Sequence, residues 1–260
     1  MIMAILYHTT GIILAKHDWR EADRFYSLLT KQDGKVEMIG RGAQKTLAKL
    51  APHLEFCAEA EFLVVRGRTY QTIAGVERVR TFPGIYSDFS KMLLAHQALA
   101  LVDGGVREGQ ADQILYERVV HWLECLNKAP SCGPERAAFL LAGFALRLLE
   151  QLGYRPELIK CLSCRVEIQE GLFRWHTLKG GVVCEKCTIQ DAEQWFSARP
   201  ISDESLKLVR LALHGTFSDL LRVRIPGHTL PAFHEVVESL MYTHFPTIPV
   251  VSLRGICTMC

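Results

Sequence analysis

The sequence predicts an α+β protein: a small N-terminal β-barrel, then an all-α domain carrying an inserted four-cysteine module. Three observations lead there. Residues 1–84 fall into short segments rich in β-branched and aromatic residues. From residue 85 onward, apolar residues recur three and four apart, as on one face of a helix. Between two helical stretches, residues 160–190 hold the pattern C-x2-C, 19 residues, C-x2-C. The expected division is therefore 1–84 and 85–260, with the cysteine module as an insert in the second part.

The strand segments are "AILYHTTGIILAK", "DRFYSLLT", "KVEMIGRG", "AEFLVVRG" and "TYQTIAGVERVRT", punctuated by Asp33-Gly34, Gly40/Gly42 and Gly67. Five short strands in this length suit a closed barrel of the OB type, and an SH3-like barrel fits nearly as well. After "FPGIYSD" the texture changes. "SDFSKMLLAHQALALV" opens on a Ser or Asp cap, "ADQILYERVVHWLECLN" follows, and "PERAAFLLAGFALRLLEQLGY" has proline in its first turn and Gly153 as a stop. Three helices in succession predict a bundle packed beside the barrel. "SDESLKLVRLALHG" and "LPAFHEVVESLMYTHF" resume the helical pattern after the cysteines.

With 49% hydrophobic and 22% charged residues, the chain has the composition of a folded protein with a real core. A net charge of +2 excludes nothing. The start, "MIMAILYHTTGIILAKHDW", lacks a charged leader and a small-residue cleavage site, so no signal peptide is expected. The apolar run Ala137 to Leu146 stops at Arg147, short of the roughly 20 residues a membrane span needs. These features predict a cytoplasmic protein, associated with the nucleoid if it binds DNA.

In a reducing compartment, nine cysteines of which four form two matched knuckles argue for metal binding over disulfides. Cys161, Cys164, Cys184 and Cys187 have zinc-ribbon spacing, and the intervening alternation with Gly180-Gly181 predicts a hairpin that joins the knuckles. Four thiolates fill a tetrahedral shell and leave no position for an activated water, so one structural Zn2+ is expected. His176 is the alternative ligand. A zinc nucleoside deaminase would carry proline just before its C-x-x-C, where this chain has Lys160 and Val183. A thioredoxin-like couple needs a βαβ setting, which neither pair has. The terminal Cys257/Cys260 pair is assigned no function.

The first domain is basic along one stretch, with Lys16, Arg20, Arg24, Lys31, Lys35, Arg41, Lys45 and Lys49. Three of these lie in "MIGRGAQKTLAKLAPHL", which contains no acid. A Gly-Arg-Gly loop after a strand, followed by spaced lysines, makes a basic rim suited to phosphates. Asp18, Glu21, Asp23, Asp33 and Glu37 dilute it, and ordinary solvated surface charge is the competing reading. Trp19, Phe25 and Tyr26 are aromatic candidates either for base stacking or for the core. No P-loop, G-x-G-x-x-G, G-x-S-x-G or H-E-x-x-H is present, which points to a binding protein and not an enzyme.

The stretch "TGIILAKHDWREADRFYSLLTKQDGKVEMIGRGAQK" and the later "FLLAGFALRLLEQLGYRPELIKCLSC" resemble the RecO family of bacterial recombination mediators. The resemblance implies an OB-fold that binds single- and double-stranded DNA without ATP or catalytic residues. It also implies strand annealing and recombinase loading on DNA coated by single-strand-binding protein, with RecR and that protein's C-terminal tail as partners. The family's basic barrel positions carry over to Lys35, Arg41 and Lys45. Lys16, Arg20, Arg24, Lys31, Lys49, Arg66 and Arg68 extend the set by charge and position. The closing "HFPTIPVVSLRGICTMC" departs from the basic stretch expected near the family's C-terminus. The alternative is a zinc-containing interaction scaffold of the repair machinery with weak DNA binding.

Overall fold

Segments rich in β-branched and aromatic residues form β1 (Ile5–Trp19), β2 (Asp23–Thr30), β3 (Gly34–Gly40), β4 (Glu59–Arg66) and β5 (Gln71–Arg80). They close into a barrel in the order β1-β2-β3-β5-β4. The computed structural model describes residues 5–45 and 54–246. The length of β1 makes closure possible: its first half pairs antiparallel with β4, from Ile5↔Arg66 to Ile12↔Glu59, and its second half with β2, from Gly11↔Thr30 to Trp19↔Asp23. A register shift between Ile13 and Ala15 bends the strand between its two partners. A short parallel contact, Met38↔Gln71 and Ile39↔Thr72, joins β3 to β5. This order fits the OB-type expectation.

Ile13, Tyr26, Leu28, Met38, Phe62 and Val64 point inward and are almost fully buried, each large apolar side chain contributing about 1.5–3 kcal/mol. The β2–β3 turn needs glycine at position 34. Its φ is +70°, and a Cβ there would lie 2.1 Å from the Gln110 carbonyl oxygen.

The chain divides into two compact units, residues 1–131 and 132–260. The first contains the barrel and three helices, α1 (Pro83–Tyr86), α2 (Phe89–Gly105) and α3 (Gln113–Lys128). Asp88 caps α2 by accepting from the Lys91 N–H, and Asp112 caps α3 by accepting from the Leu115 N–H. Polar ties fix these helices to the strands. Lys35 of β3 pairs with Asp103 of α2 at 3.0 Å, and the Ser27 hydroxyl of β2 donates to the same carboxylate. The Tyr116 hydroxyl of α3 donates to buried Glu59 of β4 at 2.6 Å, while Arg80 of β5 bridges Glu59 and Glu124. Burial and the Glu59 carboxylate both raise the Tyr116 pKa, so the phenol stays a donor.

The second unit is built around α4 (Pro134–Gln151), whose residues from Ala137 to Leu146 are all buried. It packs against α6 (Asp203–His214), α7 (Phe217–Arg222) and α8 (Leu230–His244). The helical stretch beginning at Pro134 therefore belongs to the later helices, not to a three-helix bundle with α2 and α3. The reason is its composition: a helix apolar nearly all round must be covered on several sides. Gly143 permits the approach, since a Cβ there would meet Leu220 at 2.4 Å and the Ala212 carbonyl oxygen at 3.2 Å. Arg136 donates to the Leu220 and Val223 carbonyls and Arg147 to those of Leu213 and Gly215, so both satisfy helix C-termini.

Between α4 and α6 lie the strands β6 (Phe173–His176) and β7 (Gly181–Cys184), the helix α5 (Glu185–Gln190) and the two-residue strand β8 (Arg199–Pro200). They form a three-stranded sheet in the order β7-β6-β8. The Val182 N–H donates to the Glu157 carbonyl at 3.0 Å and the Leu162 N–H to the Val182 carbonyl at 2.9 Å, so β7 carries the first cysteine loop on its edge. Arg210 of α6 donates to the Leu158 carbonyl, tying the module to the helical core.

Candidate metal centre and nucleic-acid interface

The hairpin brings the two cysteine pairs together. Phe173 pairs with Cys184 in the β6–β7 register, which places Cys184 at the end of β7 and Cys187 within the first turns of α5. Cys161 and Cys164 flank a tight turn whose exit residue, Arg165, has φ of +62°. The four Sγ atoms all lie within 4.8 Å of one another, and none is in a disulfide. Cys164 Sγ and Cys184 Sγ are 3.8 Å apart. A tetrahedral zinc with Zn–S of about 2.3 Å needs sulfur–sulfur edges of about 3.8 Å, so the donor set fits that ion.

The local electrostatics favour thiolate at one corner of the cluster. Burial disfavours ionisation of Cys161, but N–H groups of Cys184, Cys164 and Ser163 outweigh it and pull the thiol down to about 6. Two of those bonds are 3.3 Å from Cys184 and 3.4 Å from Ser163. Burial pushes the Cys184 thiol up to about 12, and the neighbouring thiols add to the rise. Crowded thiols that resist joint ionisation are the arrangement a divalent cation relieves. Val183, Trp195 and Ala198 pack around Cys161 and Cys187 as a small core.

His176 is not part of this group. Its Nδ1 accepts from the Lys179 N–H at 3.2 Å, its Nε2 meets the Ser197 hydroxyl at 3.0 Å, and its ring packs edge-on against Trp195. Burial lowers its pKa, so it serves as a neutral hydrogen-bonding core residue. Beside the cluster a groove of about 400 Å³ runs between Cys164, Val166, Leu172 and Ile189.

The basic residues of the barrel separate into two sets. Antiparallel pairing of β2 and β3 puts Arg24 opposite Gly40 and Thr30 opposite Gly34, so the 20–22 turn and the 40–45 loop share one end. Asp23 fastens them by accepting from the Gly42 N–H at 2.8 Å, and the Gln44 side chain donates to the Asp23 and Arg20 carbonyls. Arg20, Arg41 and Lys45 are exposed there. The β4–β5 turn comes to the same end, because Tyr70 lies against Trp19 and Phe25 with ring centroids 6.3 and 5.6 Å away. That adds exposed Arg66 and Arg68. None of these five forms an ion pair among the described residues.

The remaining candidates stand elsewhere. Lys31 and Lys35 are at the far end of the β2–β3 hairpin, and Lys31 shares a small pocket with Glu59, Glu117 and Glu124. The Lys35 ammonium is turned inward to Asp103, with 14% of its side chain exposed. Arg24 is paired with Asp18 at 2.8 Å. Lys16 is exposed in the last third of β1, opposite Tyr26 of β2. Lys49 and the Cys257/Cys260 pair lie outside the described residues. Of the aromatic candidates, Tyr26 is core at 1% exposed. Trp19 and Phe25 are half-buried and meet edge-on at 4.6 Å. Tyr70 was not among the candidates; its position in the Gly67–Gln71 turn, distant in sequence from Trp19, gave no signal.

A closed barrel with three helices and a cationic end, and a second, helical unit bearing four clustered thiols, define a two-unit protein with an exposed basic surface and a cysteine cluster that could hold a metal ion. The model for the N terminal of recombination protein O matches residues 3–82, and the model for its C terminal matches residues 86–254. The chain is 31% identical over 224 residues to a DNA repair protein RecO of Symbiobacterium thermophilum, covering 85% of each chain. It is 29% identical over 219 residues to one of Dehalococcoides mccartyi, covering 84% of this chain and 83% of the relative. Over 250 residues it is 24% identical to one of Alkaliphilus metalliredigens, covering 96% and 98%. The chain belongs to the RecO family of recombination proteins.

Proposed function

We propose that the chain is a DNA-binding mediator of repair and recombination, acting through the cationic end of its barrel. One observation carries this reading: Arg20, Arg41, Lys45, Arg66 and Arg68, from three separate loops, converge on one end without an acidic partner among the described residues. Exposed cations on one end of a barrel suit an extended polyanion, which binds them while releasing its own counterions. The loops after the first and fourth strands of an OB barrel are suited to oligonucleotides. The names of the relatives, DNA repair protein RecO, support the same reading.

Under this reading Cys161, Cys164, Cys184 and Cys187 hold a structural zinc, which, when bound, fixes the hairpin to the helical unit. The barrel positions DNA by charge, and no residue is assigned a catalytic role. Strand annealing, recombinase loading, and contacts with RecR and the tail of single-strand-binding protein follow from the family resemblance. Anisotropy of a labelled single strand at rising salt is the test. Five phosphate contacts predict a slope of log K on log salt of roughly −3.5. No binding at low salt would overturn the reading.

A second reading, an interaction scaffold with weak DNA binding, is favoured by the groove beside the cysteines, where Val166 and Ile189 are 64% and 75% exposed. Exposed apolar side chains in a concave surface suit a protein partner. It predicts that reversing the barrel charges leaves repair activity in cells intact.

A further inference from the structure

The same end of the barrel carries aromatic rings as well as charge. Trp19 closes β1, Phe25 lies on the outer side of β2, and Tyr70 stands in the β4–β5 turn, 46% exposed. The buried barrel core includes Tyr26 but none of these three. Phe25 faces out because Tyr26, its neighbour, faces in. The rings meet at interplanar angles of 56–61°, so none stacks flat on another.

Cations frame the rings. The Arg20 guanidinium sits 5.9 Å from the Trp19 ring centroid. Arg66 lies 5.1 Å over Tyr7, whose hydroxyl is hydrogen-bonded to Gln71, the residue after Tyr70. One exposed and two half-buried rings flanked by arginines offer two contacts at once: planar bases stack on the accessible parts of the rings while the flanking phosphates meet the guanidinium groups. In a duplex the base faces are occupied by their neighbours, so only an unpaired strand can use the rings.

We propose that Trp19, Phe25 and Tyr70 form a base-stacking platform for a single nucleic-acid strand, which gives the barrel a preference for unpaired over paired DNA. The inference rests on the proposed DNA-binding function and adds the groups that recognise strand state. Charge alone would bind both forms by their phosphates.

The full chain reports on the platform itself, because Trp122, Trp175 and Trp195 are 7% exposed or less and Trp19 is the half-buried tryptophan of the four. An oligo-dT strand and an abasic strand of equal length and charge are titrated at fixed salt, with intrinsic fluorescence and anisotropy read together. The platform predicts quenching by oligo-dT alone and roughly 5- to 150-fold tighter binding of it than of the abasic strand. Tyr70→Ala should narrow that gap while abasic binding is unchanged, and Tyr70→Phe should keep it. Equal binding of both strands by the native chain overturns the platform and leaves the DNA-binding reading standing. Binding of neither overturns both.

Discussion

The cysteine module and the barrel end are both assembled from loops, yet they solve opposite problems. In the module, four sulfurs face one another within 4.8 Å, Cys161 and Cys187 are buried, and nearby N–H groups prepare a thiolate. Everything there closes on a point. At the barrel end, five cations face outward, anchored by Asp23 and the loop hydrogen bonds, and leave their charge exposed. A site closed around one ion can stabilise a fold, whereas exposed like charges are left available to an external polyanion. Under the proposed function, stability falls to the first region and recognition to the second.

The largest effect should come from breaking the clasp. Removing zinc with a strong chelator, or Cys184→Ser, is expected to abolish metal-linked folding free energy on the order of 10 kcal/mol in the second unit. Calorimetry and zinc content would show it as loss of a cooperative transition, with DNA affinity of the remaining folded barrel little changed. Loss of DNA binding without a change in melting would place recognition in the module instead.

A smaller effect separates structure from recognition within the barrel unit. Tyr116→Phe leaves buried Glu59 without its 2.6 Å donor and should cost about 1–3 kcal/mol by denaturant titration. Lys35→Met removes the Asp103 pair and should cost about 1.5–3 kcal/mol, with DNA affinity held within about twofold. Arg41→Ala should do the reverse. Its exposed side chain makes no ion pair among the described residues, so stability should stay within about 0.5 kcal/mol while the salt slope falls by about 1. If Lys35→Met were to flatten the salt slope as Arg41→Ala does, the division between inward and outward lysine and arginine would be wrong.

The contrast between Lys35 and Arg41 also marks where the sequence stops being informative. β-Branched and aromatic content between turn residues revealed the strands, and of the Ser or Asp cap read at the start of α2 the structure selects Asp88; Asp112 and Ser202 cap α3 and α6 in the same way, without having been singled out in the sequence. The paired C-x2-C spacing was sufficient to bring four sulfurs together. Lys35 looked equivalent to Arg41 because both sit in one basic motif. Only its contact with Asp103, 68 residues away, turns it inward. Periodicity likewise showed that α4 is apolar without saying what covers it, so its place among α6, α7 and α8 needed tertiary packing. The short α7, held by a Thr216/Asp219 capping box, carried too few residues to display a period. Tyr70 reaches Trp19 and Phe25 through barrel closure, a relation between distant segments that no local pattern encodes.

The claim that recognition belongs to the barrel end and stability to the cysteine clasp is tested most directly by one triple variant, Arg20→Glu/Arg41→Glu/Arg68→Glu. Its DNA affinity, zinc content and thermal melting should be measured on the same preparation of the full chain. The account predicts that affinity for a single strand at low salt falls by at least a hundredfold, on the order of three lost and reversed phosphate contacts, while zinc content and melting match the native chain. Native affinity in a correctly folded, zinc-loaded variant would contradict it.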